Sequence, residues 1–377
     1  DATMKEPLLL PTTFPNILVT PNMGIAVGMA SNICSFNLSE ICDGTIALLR
    51  KPNLSVEKMM ELVKAPDFSG GGILIYDKAQ LHQIYETGSG SFRLRARYVY
   101  DKENNCIDIL EIPYSTTIEL ILNKISELVK EGKLKEITDF RDEIDLSGFK
   151  LTLDLRKGVD PDALMQKLFK MTPLQTSFSV NAIALVKGRP RLLTLKDCIS
   201  NFVEHRHEVV IRRTKYELRK AEERAHILEG LIIASDNIDE VVRIIRASKT
   251  PQDAQRNLEA RFNLDELQSK AIVDMRLSQL TGLRQEDLHN EFDELQAKIA
   301  YYNQILTDDE LCRKVIKDEL IEVKEKYADE RKTQIMPSAE EFNAEDFYAD
   351  DEVVVTISHM GYIKRTPLAE FRAQGRG

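Results

Sequence analysis

Two runs of apolar residues at helical spacing limit what this chain can fold into more than any other feature. Val210, Thr214, Leu218, Ala221, Ala225, Leu228 and Ile232 recur at intervals of four, four, three, four, three and four. Leu288, Phe292, Leu295, Ile299, Tyr302 and Leu306 follow at four, three, four, three and four. A seam of that period makes helices pack along their length, as in a coiled coil. Between the seams lie shorter helical stretches: "DEVVRIIRAS", "TPQDAQRNLEARF" and "NLDELQSKAIVDMRLSQLTG". The simplest geometry is a pair of long antiparallel helices with a small helical globule at the far tip. An ordinary helical bundle is the alternative that the same spacing permits.

Ahead of the helices the period changes. "NLSEICDGTIALLR" has helical spacing, with Asn37 or Ser39 as cap, and "SVEKMMELVKA" starts on Ser55. "GGILIYD", "SFRLRARYVYD", "CIDILEIPY" and "FKLTLDLRKG" read as strands. "TTIELILNKISELVKEGK" is a helix capped by Thr116 or Thr117 and ended by Gly132; "DPDALMQKLFKMT" is another. "FSVNAIALVKGRPRLLT" reads as a hairpin turning at Gly188. The fold class is therefore multidomain α+β. Residues 1–35 form a connector, and residues 36–195 an α/β tower-like α+β domain. Residues 196–245 are an outgoing helical arm, 246–284 a helical globule and 285–333 a returning arm. Residues 334–377 are a linker and the start of a β domain.

Composition excludes several classes. At 377 residues and 43% hydrophobic, the chain can build more than one core. No apolar run of membrane-spanning length appears. Nor does the start "DATMKEPLLLPTTFP" have the basic region and cleavage site of a signal peptide. Five scattered cysteines without a C-x-x-C indicate neither a disulfide framework nor a metal site, so a cytoplasmic location is expected. The net charge of −10 argues against simple coating of nucleic acid. That average hides an asymmetry. Residues 187–220 carry ten Lys/Arg against four Asp/Glu, and residues 308–352 carry sixteen acids against seven bases. The basic segment is either a nucleic-acid surface or a solvated helix face.

Few motifs carry chemistry. There is no Walker loop and no H-E-x-x-H; "SGGGI" and "TGSGSF" read as turns. None of the eleven tyrosines sits among clustered arginines on a recognition helix, so no catalytic residue is assigned. Two other features point to binding. The stretch "TPNMGIAVGMASN" mounts Met23 and Ile25 between Gly24 and Gly28. Ile25 either fills a local core or serves as an exposed wedge. "SFRLRARYVY" places Arg93, Arg95 and Arg97 on one face of a strand. Residues two apart on a strand sit about 7 Å apart, close to the spacing of successive phosphates. Lys187, Arg189 and Arg191 flank the Gly188 turn and present cations in the same way.

These pieces resemble, in order, the bacterial type IIA topoisomerase A subunits. "LPTTFPNILVTPNMGIAVGMASNI" is similar to the segment after their catalytic domain. "LKDCISNFVEHRHEVVIRRTKYELRKAEERAHILEGL" is similar to the first arm of their coiled coil. "SKAIVDMRLSQLTGL" is similar to their exit-gate globule, and "VIKDELIEVKEKYADERKTQI" to the returning arm. "VVVTISHMGYIKRTPLAEFRAQGRG" resembles the start of the DNA-wrapping domain of the gyrase branch, and its "QGRG" favours that branch over the topoisomerase IV sibling.

The resemblance implies that Ile25 would intercalate between base pairs of double-stranded DNA. Met23, Arg93, Arg95, Arg97, Lys187, Arg189 and Arg191 are the further DNA contacts expected from the sequence itself. Leu267, Ile272, Met275 and Leu280 would be divided between the globule's own core and a homodimer interface. The family's nucleophilic tyrosine lies before the segment that matches Asp1 onward, so this chain alone is expected not to cleave DNA. Mg2+ and ATP would enter through the gyrase B subunit in an A2B2 assembly, bacterial and nucleoid-associated, with no metal or cofactor held by this chain. A structural dimeric rod without a nucleic-acid role would explain the seams and the acidity. It would not explain the glycine-bracketed Ile25 or the arginine row.

Overall fold

Local signals start most of the elements. In the computed structural model, residues 3–4, 6–143, 148–276, 282–338, 353–359 and 361–367 are described. A single 3-10 turn (Asn16–Leu18) leads into a hairpin of β1 (Asn22–Ala26) and β2 (Met29–Ile33). Helix α1 (Leu38–Arg50) begins where Asn37 accepts the N–H groups of Ser39 and Glu40, and α2 (Val56–Leu62) where Ser55 accepts that of Lys58. Such a cap satisfies amides that the first turn leaves without partners. Strand β3 (Ile73–Tyr76), helix α3 (Lys78–Thr87), and strands β4 (Ser89–Arg95), β5 (Arg97–Asp101) and β6 (Cys106–Glu111) follow.

Helix α4 (Ile118–Lys130) is capped by Thr117, and the chain leaves it through Gly132 at φ +71°. After β7 (Ile137–Asp142) and β8 (Leu151–Leu155), α5 (Pro161–Met171) combines an Asp160 cap with a proline in its first turn. Strand β9 (Gln175–Asn181) precedes a short hairpin of β10 (Ile183–Val186) and β11 (Arg189–Leu192). Lys187 and Gly188 turn it with φ of +50° and +77°, the signs that a tight two-residue hairpin turn requires.

The 42-residue helix α6 (Leu195–Asp236) opens on a reciprocal Thr194–Asp197 capping box. Helices α7 (Ile238–Ala247), α8 (Pro251–Phe262), α9 (Glu266–Val273), α10 (Gly282–Thr307) and α11 (Asp309–Tyr327) complete the helical part. Strands β12 (Gln334–Pro337), β13 (Val353–Ile357) and β14 (Ile363–Pro367) end the described chain.

The chain divides into two compact units. The first holds Asp1–Asn22, Ser35–Lys64 and Ala184–Glu330. Here α6 lies antiparallel to α10: Arg224 pairs with Glu291, and Ser235 accepts from Gln285 nearer the tip. Seam residues Val210, Ala225 and Leu228 are buried. At one end α1, α6, α10 and α11 share a core of Leu38, Cys42, Phe202, Val210, Ile305 and Ile316. At the other, Ala234, Val241, Leu258, Leu264 and Ile272 form a smaller one. A fully buried Leu or Ile contributes about 1.5–3 kcal/mol relative to exposure.

The second unit holds Met23–Cys34, Ala65–Ile183 and Arg331–Gly377. Its six-stranded sheet has the order β1-β2-β9-β4-β3-β12, and its four-stranded sheet β5-β6-β8-β7. Helices α4 and α5 cover the four-stranded sheet through Ile121, Ile125, Leu164 and Leu168 against Ile107, Ile109, Leu151 and Leu153. Strands β13 and β14 form an antiparallel pair of their own.

Several sequence expectations change. The block 36–195 is shared between both units, since Ser35–Lys64 groups with the long helices. The expected hairpin over residues 178–194 is confined to β10 and β11, because "FSVN" belongs to β9 in the large sheet. The expected helix through residues 263–282 stops at Val273, where Asp274 caps it. The returning arm is two helices, broken at Asp308, whose carboxylate accepts the N–H groups of Glu310 and Leu311 to start α11. Residues 334–337 are no linker: they pair in parallel with β3, Gln334 opposite Ile73.

Candidate nucleic-acid interface

The β1–β2 hairpin presents apolar side chains to solvent. Ile25 is 85% exposed, Met23 71% and Val27 fully, so Ile25 and Met23 fill no core within this chain. Gly28 turns the hairpin at φ +81°, and a Cβ on either Gly24 or Gly28 would meet nothing within 4 Å. The base of the hairpin is held firmly. Asn32 donates to Ser179 O at 2.6 Å, Ser31 to Ile183 O at 2.7 Å, and Asn181 to Ala30 O at 2.5 Å. The result is a slender apolar tip on a hydrogen-bonded base. Single exposed apolar residues are ordinary, but several together on one projecting hairpin mark an interaction site.

The arginine row is interrupted. Arg93 and Arg95 lie on β4 in the large sheet, while Arg97 opens β5 in the small one. Between them Ala96 is fully buried, and its N–H donates to Leu174 O instead of continuing the strand. Arg93 is exposed, and while its backbone pairs in the sheet, its side chain makes no hydrogen bond or ion pair among the described residues. Arg95 is half-buried; its Nε donates to Gln175, and its guanidinium lies 5.0 Å from the Phe169 ring centre. Burial, and secondarily the charge of Arg93, lower its pKa. Arg97 is bound to Glu111 at 2.6 Å, a hydrogen bond that raises its pKa. Of the three, Arg93 is the cation left open to a phosphate.

On the β10–β11 hairpin, Arg189 and Arg191 are exposed on β11 and make no ion pair among the described residues. Lys187 is occupied: it meets Glu204 at 2.9 Å, which raises its pKa.

In the helical globule, Ile272 is buried in the core and Leu267 on α9 is 63% exposed. Met275 is half-buried, and Leu280 lies outside the described residues. The one group of potential metal ligands among the described residues is Asp101, Cys106 and Asp108. Its oxygens already serve structure. Asp101 accepts the N–H groups of Glu103 and Asn104 in a turn, and Asp108 meets Thr152 and Lys150. Burial, first, and the Asp162 hydrogen bond push Tyr98 up to about 12, which disfavours a phenolate nucleophile there. Burial also raises the Cys42 and Cys198 thiols, to about 11 and 12. These are packing residues, and no catalytic set emerges among the described residues.

Comparison with known proteins shows the family. Residues 1–321 match the family model that describes the A subunit of DNA gyrase/topoisomerase IV. The chain is 44% identical over 379 residues to the DNA gyrase A subunit of Halalkalibacterium halodurans, covering all of this chain and 45% of that relative. It is 43% identical over 382 residues to the corresponding gyrase proteins of Staphylococcus epidermidis and Staphylococcus aureus, covering 43% of each. The chain thus spans less than half the length of these relatives.

Proposed function

The chain belongs to the family of DNA gyrase/topoisomerase IV A subunits, and from that premise we propose that it forms the DNA-bending and dimerising part of a type IIA topoisomerase. The supporting observation is the solvent-facing Ile25 on its anchored hairpin. An apolar side chain entering a base step costs a few kcal/mol of unstacking and kinks the duplex by tens of degrees. Ile is stiff at χ1 and suits a wedge. Within the hairpin's own unit the unpaired Arg93 is the candidate to neutralise a phosphate; Arg189 and Arg191, in the other unit, are separate candidates. Met23 widens the apolar contact.

The same reading assigns the rest of the chain. The antiparallel α6 and α10–α11 act as a coiled-coil arm. The globule they carry is the exit gate, meeting a second copy through Leu267, Met275 and Leu280. Double-strand passage uses ATP and Mg2+ through the gyrase B subunit in an A2B2 assembly, in the bacterial cytoplasm on nucleoid DNA.

Energy transfer across an end-labelled duplex tests the proposal, with the parent chain and Ile25→Ala over a salt series. A salt-sensitive bend that the variant loses is the expected result. Unchanged end-to-end distance with the parent at low salt overturns it and leaves the structural-rod reading.

A further inference from the structure

The break between α10 and α11 lies beside a cleft in the helical unit. The cleft measures about 470 Å³, within the range of small-molecule sites. Its floor is apolar, built from Leu48, Leu49, Val203 and Ile316. Asp309, on the first turn of α11, closes one side: one carboxylate oxygen lies 3.0 Å from His207 Nε2 and the other 2.9 Å from Arg313. Asp309 and Arg313 offset each other. Glu204 is spent on Lys187. Glu208, also on the wall, has a carboxylate with no hydrogen bond or ion pair among the described residues.

The lining therefore has an apolar floor and an acidic edge, where Glu204 and Glu208 share the field of one cation, Lys187. Among the lining residues the carboxylates of Glu204, Glu208 and Asp309 outnumber the one arginine, Arg313, so an entering anion would be repelled. A neutral apolar molecule would leave Glu208 as it is. A protonated amine on a short apolar body matches both parts. We propose that this cleft binds a small amphiphilic amine, its ammonium at Glu208 and its apolar body on Leu48, Leu49, Val203 and Ile316. Such a ligand would contact α1, α6 and α11 together, at the point where the returning arm is discontinuous.

Three probes of one shape separate charge from shape: phenylbutylamine, phenylbutanol and phenylbutanoate, each titrated against the full chain by calorimetry. Two variants accompany the parent. Glu208→Gln removes the charge at an exposed helical site, and Ser200→Trp fills the mouth from another exposed position. The amine is expected to bind the parent about ten-fold tighter than the alcohol, as befits a charge-assisted contact, and the carboxylate weakest. Glu208→Gln should bring the amine down to the alcohol and leave the alcohol unchanged. Ser200→Trp should weaken both, with the circular dichroism of the parent retained. Equal affinity of amine and alcohol for the parent, an amine affinity indifferent to Glu208→Gln, or no binding of any probe overturns the proposal.

Discussion

Arg206 is only 3% exposed. Its Nε and Nη2 both donate to Glu319 on α11, at 3.2 and 2.5 Å, while Nη1 reaches the carbonyls of Pro11 and Thr12 at 3.3 and 3.4 Å. Removing one partner of a buried pair leaves the other charge stranded. Glu319→Ala should destabilise the chain by about 3–5 kcal/mol in urea unfolding. Arg213 shares the same carboxylate at 2.6 Å but is exposed, so Arg213→Ala should cost less than about 1 kcal/mol. Ile25→Ala, by contrast, should change stability by no more than about 0.5 kcal/mol, since its side chain touches solvent. Any DNA-bending defect in that variant is then not a folding defect. Asp265 gives a pH prediction. The Gln268 N–H, then His226, hold its carboxyl below the ordinary range. A depressed carboxylate stabilises above its unfolded pKa, and that contribution is lost as pH falls through the folded one. Amide exchange at Gln268 should accelerate in acid below the usual carboxylate range, and the pH step should vanish in Asp265→Asn.

Among elements, α6 and α9 approach closely in the globule. A Cβ on Gly230 would sit 2.7 Å from Gln268 Cβ, closer than packed side chains allow. Ala is the better helix former by about 1 kcal/mol, yet overpacking costs about 1–3 kcal/mol, so Gly230→Ala should destabilise the globule. Urea unfolding followed by exchange at Leu258 and Ile272 checks this. Much at this scale was legible in the sequence because its cause is local. Asn37, Ser55 and Thr117 cap where their side chains predict, and both seams fall on helices. Helix α3 was missed, although Asp77 caps it and Gly88 ends it at φ +74°; its low apolar content concealed the period. The arginine row failed for another reason. Alternation continues through "SFRLRARY", but Ala96 hands the chain from one sheet to the other, and the partner that makes it do so, Leu174, is distant in sequence. The glycine brackets of Ile25 were legible but left a local core and an exposed wedge both open; its exposure is decided by the fold. The pairing of Lys187 and Arg97 with Glu204 and Glu111 was not, because ion pairs form across elements whose register is not local.

For the molecule as a whole, a net charge of −10 does not forbid DNA binding if the unpaired cations face outward. Each phosphate neutralised contributes about 0.9 to the slope of log affinity against log salt. Arg93→Ala, Arg189→Ala and Arg191→Ala should each lower that slope by about one, measured by fluorescence anisotropy. Arg97→Ala and Lys187→Ala should lower it less, because Glu111 and Glu204 already hold those charges. The sheet has a consequence of a different kind. Its strand β12 lies beside β3, a strand made hundreds of residues earlier. At roughly 5–20 residues per second, a ribosome needs tens of seconds to deliver it. Until then Ile73, Leu74 and Ile75 offer an open, greasy edge to any neighbouring nascent chain, and such edges invite pairing. The long helical excursion thus sets a waiting time in the life of every newly made copy, during which the sheet depends on its surroundings to stay single.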